Sequence, residues 1–229
     1  TDWLEAYATR EDFDDIQRAF DSLDTSVLDT GPAFIAKQFD FTYSDGLDFV
    51  QGLKDSGGWQ AVNAAYENPP LSTEQILHPA RYPGDAPQVV AKIVFTGTLG
   101  SEWREVDSGV LGELYTRFVL EEQVPAEDAA QAAAGWGGDA YVVSYNESTG
   151  QTAMAVRLVW DTPRDAEEFA RIFDDYNRQR FGGDSFLFSG ATCAQGDALS
   201  CLAFAGSETL WVLGPDEETV SIIFGLFPG

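Results

Sequence analysis

Lysine is nearly missing from this sequence. Only Lys37, Lys54 and Lys92 are lysines among thirteen basic residues, against 22 Asp and 16 Glu, and the formal charge is -25. Affinity for nucleic acid comes largely from Lys and Arg neutralising phosphates, so a nucleic-acid partner is excluded, and an anionic membrane surface is disfavoured for the same reason. No apolar run reaches the length of a membrane-spanning helix. Histidine occurs once, at His78, and cysteine twice, at Cys193 and Cys201. One imidazole cannot build a multi-histidine zinc site, and two thiols cannot complete a structural one. No G-x-S-x-G elbow, strand-to-helix phosphate loop or calcium-binding loop spacing occurs.

What remains is a folded, acidic chain. Of its 229 residues 44% are hydrophobic and 13% aromatic, with acids dispersed among apolar periodic segments, so disorder is excluded. Short carboxylates with few long ammonium stems stay hydrated in concentrated salt, where the Debye length is about 3 Å and self-repulsion is screened. The composition therefore reads as adaptation to high salt. Thr1 is not an initiator Met, and no basic segment and apolar run precede the first helix, so the sequence reads as a mature product or a piece of something longer.

Periodicity predicts an α+β fold with a helical region over 1–82 and an α+β domain over 83–229. Phe13, Ile16, Phe20 and Leu23 mark one helical stripe; Phe34, Ile35 and Phe39 mark a second; Leu47, Val50 and Leu53 mark a third, stopped at Gly57-Gly58. A short amphipathic helix runs from Trp59 to Tyr66, and Ser72 caps a turn over Thr73–Leu77 that Pro79 closes. Residues 83–90 read as a linker, and Val89–Phe95 has strand composition. Helices follow over Val110–Leu120 and Pro125–Ala134, with Gly135-Trp136-Gly137-Gly138 as a helix stop. Ala140–Tyr145 and Ala153–Trp160 form a hairpin around Asn146–Gln151. Thr162 and Pro163 open a long helix with Ala166, Phe169, Ala170, Phe173 and Tyr176 on one face. Short strands are expected at Ser185–Phe188, Cys201–Phe204 and Leu210–Leu213, before an apolar end, Val220–Phe227.

Few residues stand out as chemistry. Cys193 and Cys201, eight apart around Gly196-Asp197, suit a local disulfide, which points to an extracellular or cell-surface protein; two buried thiols are the alternative. Asn146-Glu147-Ser148 is a glycosylation sequon on the hairpin loop, with Asn146 the acceptor. His78, beside Pro79, closes a helix end or bonds within a turn.

Three blocks carry a resemblance: G-G-W-Q-A-V-N-A-A-Y-E-N-P-P-L-S-T-E-Q-I-L-H-P-A-R-Y-P at 57–83, A-A-A-G-W-G-G-D-A-Y-V-V-S-Y at 132–145 and V-W-D-T-P-R-D-A-E-E-F at 159–169. Together they resemble the C-terminal portion of secreted or lipid-anchored zinc-metallopeptidase-like proteins of salt-loving archaea and some bacteria. In that family an H-E-x-x-H helix and a downstream Glu ligand precede these blocks, and this chain has neither. The resemblance implies that zinc belongs to a longer precursor, with no cofactor in this chain. It also implies that the helical half forms the rear wall of a peptidase cleft, and that His78 serves as a transition-state stabiliser in the intact protein only. Two functions follow: the non-catalytic C-terminal portion of an exported, salt-adapted zinc-peptidase-like protein, with an upstream peptidase segment as partner, or a non-enzymatic extracellular or cell-surface assembly protein that self-associates.

The charge pattern generates one prediction. The melting temperature rises from millimolar to molar KCl as repulsion among the carboxylates is screened; equal values at both salts would contradict salt adaptation.

Overall fold

Alternation of small and large apolar residues builds a sheet that is covered on both faces. In the computed structural model, which describes residues 2–24 and 30–227, β2 (Trp136–Asn146) and β3 (Thr152–Trp160) form a long hairpin with Tyr145 opposite Thr152. β7 (Glu208–Gly214) pairs with the other side of β3, followed by β6 (Leu199–Ala205), β5 (Ala191–Gln195) and β4 (Phe186–Phe188). β1 (Trp103–Gly109) closes the opposite edge against β2, giving the order β1-β2-β3-β7-β6-β5-β4 with every pair antiparallel. The α+β class read from periodicity is the observed one.

Val156, Leu158, Trp160 and Trp211 point to one face, where α7 (Gly112–Glu121), α8 (Ala126–Ala133) and α9 (Pro163–Phe181) lie. α9 is started by a capping box, Thr162 with Asp165, with proline in its first turn; of the predicted stripe it buries Ala166, Phe169, Phe173 and Tyr176, with Ala170 partly buried. Phe173 sits at the centre of this layer, its ring 5.5 Å from Phe169 and 5.2 Å from Trp211. Val142, Ala153, Ala155, Leu210 and Val212 face the other way, under α10 (Glu217–Phe224) and the buried Ile93 and Phe95. The apolar chain end is thus a helix, capped by Asp216, whose Oδ1 accepts from Thr219 N at 2.8 Å.

Contacts divide the chain into two units, 1–45 and 46–229; the sequence boundary at 82/83 falls inside the second. The first unit holds α1 (Asp2–Tyr7), α2 (Arg10–Asp21) and α3 (Ala33–Tyr43), and no residue of α2 or α3 is buried. Of the helical stripe Phe13, Ile16, Phe20 and Leu23, only Ile16 is half-buried and the other three stand exposed. In the second unit α4 (Asp45–Glu67) breaks at Gly58, whose φ of 64° is left-handed, so the Gly57-Gly58 stop is a kink between two arms that bury Phe49 and Val62. α5 (Thr73–Leu77), a 3₁₀ turn over Pro79–Arg81 and α6 (Thr96–Leu99) complete the described helices.

Two expectations are corrected. Val89–Phe95 forms no strand, because its apolar side chains Ile93 and Phe95 pack onto a sheet face instead of pairing along an edge; the segment is tied by Gln88 N to Gly137 O at 2.7 Å. Gly135–Gly138 does not merely stop a helix: β2 begins at Trp136, with a register shift between Trp136 and Gly138. A Cβ on Gly138 would meet Gln88 O at 2.5 Å, so glycine is needed where this strap crosses. Cys193 and Cys201 lie opposite one another on β5 and β6, both fully buried, with sulfurs 2.03 Å apart as a disulfide.

Phe173→Ala empties the middle of the α9 layer and is expected to cost about 3–5 kcal/mol of stability, read from denaturant unfolding; a loss below about 1 kcal/mol would contradict this packing.

Candidate functional site

The residues that could carry chemistry gather where segment 71–85 meets the start of α7 and the ends of β2 and β3. Ser72 Oγ caps α5 by accepting from Gln75 N at 3.3 Å. The buried Gln75 side chain then closes the segment, accepting from Leu71 N at 2.8 Å and donating to the Asp85 carbonyl. This local closure places Glu74, His78 and Arg81 on the side that meets α7, the end of α8 and the turn after β3.

His78 ends α5, and its N–H donates to the Glu74 carbonyl at 2.7 Å, so it does close the helix as expected. Its ring does more. Nε2 lies 2.8 Å from Oε1 of Glu113, a buried residue of α7 thirty-five positions away. That bond holds the His78 pKa above its usual value, against the effect of burial. The second carboxylate oxygen of Glu113 is buried and has no hydrogen-bond partner among the described residues.

Arg81 is the hub of the cluster. Its guanidinium donates to Glu74, to Asp161 at 2.8 Å, to Asp85 at 3.3 Å and to the Ala134 carbonyl at 3.1 Å. It thereby joins segment 71–85 to the end of α8 and to the turn between β3 and α9. Glu74 is 1% exposed. Burial pushes its pKa up to about 7, against the pull of Arg81 and with help from Asp161, Glu113 and Asp85. Glu74, Asp85 and Asp161 each bring an oxygen within 4.8 Å of the others. The guanidinium already occupies the space among them, and oxygen donors alone are not the nitrogen and sulfur set that holds zinc, so these residues do not fit that ion.

Beside the clamp, a groove of about 480 Å³ runs between the strap and α7, walled by Leu71, Thr73, Val89, Val90, Val110 and Tyr115 over a floor of Trp136 and Asp139. The carboxylate of Asp139, nearly inaccessible, takes Leu111 N and Gly112 N at 2.8 Å and Trp136 Nε1 at 2.9 Å. With Thr73 Oγ1 accepting from Leu114 N at 3.3 Å, it satisfies the opening amides around α7. Burial raises the Asp139 pKa despite these three bonds.

The remaining sequence candidates lie elsewhere. Asn146 is 8% exposed, and its Oδ1 accepts from Ser148 N, Ser148 Oγ and Thr149 N at 2.8–3.1 Å, closing the β2–β3 loop. The disulfide belongs to the opposite sheet face, in the core under α10. Sequence reasoning singled out His78 but not Glu74, Arg81, Glu113, Asp139 or Asp161. Thirty-eight acids leave no local signal for which carboxylates meet across 35 to 80 residues.

Glu74, His78 and Asp139 all bind their protons more tightly in the fold than in the unfolded chain. Stability from His78 is full below its unfolded pKa and lost as pH rises through the folded one. The cost of ionising the two carboxyls likewise grows as pH rises above their unfolded values. In molar KCl the melting temperature therefore falls by several degrees from about pH 5 to about pH 8, and Glu74→Gln flattens that slope; a rising curve, or an unchanged slope in the variant, would contradict the assignment.

No curated protein and no solved structure matches the chain. Residues 98–223, just over half of it, match the model of a domain of unknown function, DUF8575. The matched span contains all seven strands and α7–α9, and with them Glu113, Asp139 and Asp161; Glu74, His78 and Arg81 lie outside it. The chain is therefore a member of the DUF8575 family, with the sheet and its covering helices as the shared part.

Proposed function

We propose that this chain is a non-catalytic module of an exported, salt-adapted protein, the C-terminal portion of a zinc-metallopeptidase-like protein of the kind its three blocks resemble. The observation that carries the reading is the state of the acid–base side chains. His78 is spent on Glu113 and Arg81 on Glu74 and Asp161, so the groups suited to proton transfer fasten one segment to another. A net charge of -25 with three lysines supports life in concentrated salt, and the buried Cys193–Cys201 pair supports a location outside the reducing cytosol. On this reading the chain by itself hydrolyses no peptide, zinc is held by an upstream segment, and the helical region backs that segment's cleft.

A second reading has its own observation: Phe13, Phe20 and Leu23 on and beside α2 are exposed, as a surface for self-association in a cell-surface assembly would be. Sequencing the coding DNA upstream of Thr1 tests the first reading. An in-frame H-E-x-x-H followed by a ligand Glu is expected; an export signal directly before Thr1 with no such motif would overturn it. Light scattering in molar KCl separates the second, which requires a polymer where the first requires a defined monomer.

A further inference from the structure

The groove beside α7 has features that neither reading uses. Three apolar side chains that a soluble surface would ordinarily cover, Leu71, Val89 and Val110, stand exposed along one opening, with Val89 fully exposed. Its volume of about 480 Å³ lies within the range typical of small-molecule sites. Two aromatic residues, Tyr115 and Trp136, line it together with one carboxylate, Asp139.

The charge at the floor is what specifies a ligand. Every donor to Asp139 is neutral: two backbone amides and an indole N–H. Among the described residues no lysine, arginine or histidine pairs with it, unlike Glu74, Glu113 and Asp161, each of which has its cation. The start of α7 offsets only about half a unit charge. A residual negative potential therefore remains in a low-dielectric pocket, where salt screens it less than at the surface. Apolar walls, aromatic rings and an uncompensated carboxylate together suit a cation with an apolar body.

We propose that this groove binds a small organic ammonium ion, its apolar part between the strap and Tyr115 and its charge directed to the Asp139 end. The site is independent of the peptidase-like reading, and its test does not involve peptidase activity. Phenethylammonium is the probe, with 2-phenylethanol and phenylacetate as its neutral and anionic counterparts, titrated into the full chain in molar KCl. The readout is the NMR signals of the Trp136 indole N–H and of the Leu111 and Gly112 amides, which all donate to Asp139.

Saturable shifts of these three signals are expected, with phenethylammonium binding about tenfold more tightly than either counterpart. Val89→Arg, a change at a fully exposed wall position, places a like charge at the opening and weakens binding about tenfold. Val94→Arg, exposed but outside the groove, leaves it unchanged. Asp139→Asn removes the preference for the ammonium over the alcohol. If that variant does not fold, the Val89→Arg and Val94→Arg pair still decides. Equal binding of the alcohol, equal effects of the two arginines, or no saturable shift with the ammonium would each overturn the proposal.

Discussion

The central strands of the sheet are buried on both faces, and nearly everything else in the 46–229 unit answers to that constraint. An antiparallel sheet with one wet face could leave its polar side chains to solvent. Here each one that points inward must find a partner inside the protein. Trp211 Nε1 donates to Ser200 Oγ and Trp160 Nε1 to Thr209 Oγ1, both at 2.9 Å, while Asn177 on α9 reaches the Ser200 carbonyl at 3.0 Å. On the other face Thr96 meets Ser144 at 2.9 Å. The two indole bonds tie neighbouring strands, and the Asn177 and Thr96 bonds fix which helix lies over which strand, which apolar packing alone leaves loosely specified.

The same constraint explains why the charged cluster lies at the sheet's end. Two helical layers leave the tops of β2 and β3 open, and the chain covers them with segment 71–85 and the strap that follows. A short segment has little apolar area to contribute there. Its attachment comes instead from Arg81 and His78, which reach carboxylates and a carbonyl across large sequence separations, while Gln75 closes the segment on itself. Glu74 and Glu113 are carried into the interior as a consequence, each with one basic partner. Breaking such a pair strands a buried charge, so the clamp is expected to behave as a unit. The groove follows from the same geometry: the strap crosses β2 at Gly138 and stands apart from α7, with Asp139 at the bottom of the gap.

Much of this architecture was legible in the sequence. The β2–β3 hairpin, the capped α9 and the helices at 112–121 and 126–133 follow from strong periodicity with turn and cap residues at their ends. β1 escaped because W-R-E-V-D-S-G is an exposed, charged edge with a bulge at Val106, and β5 because A-T-C-A-Q is built of small residues. Val89–Phe95 has the composition of a strand, but Ile93 and Phe95 pack onto a sheet face instead of extending the ladder, a tertiary choice that composition does not carry. The site was legible only at His78, a residue notable for being single. Its partners are ordinary acids, and Asn146, which looks like a modification site by pattern, serves to close the loop through its own Oδ1.

The central claim is that Arg81 and its carboxylates fasten segment 71–95 to an otherwise self-sufficient sheet. Native-state hydrogen exchange of Arg81→Met in molar KCl tests it most directly. Selective loss of protection at Gln88, which bonds to Gly137, and at Leu111 and Gly112, which bond to Asp139, is predicted, with β3, β6 and β7 remaining protected. Unchanged exchange at those three amides, or an equal loss throughout the sheet, would contradict the account.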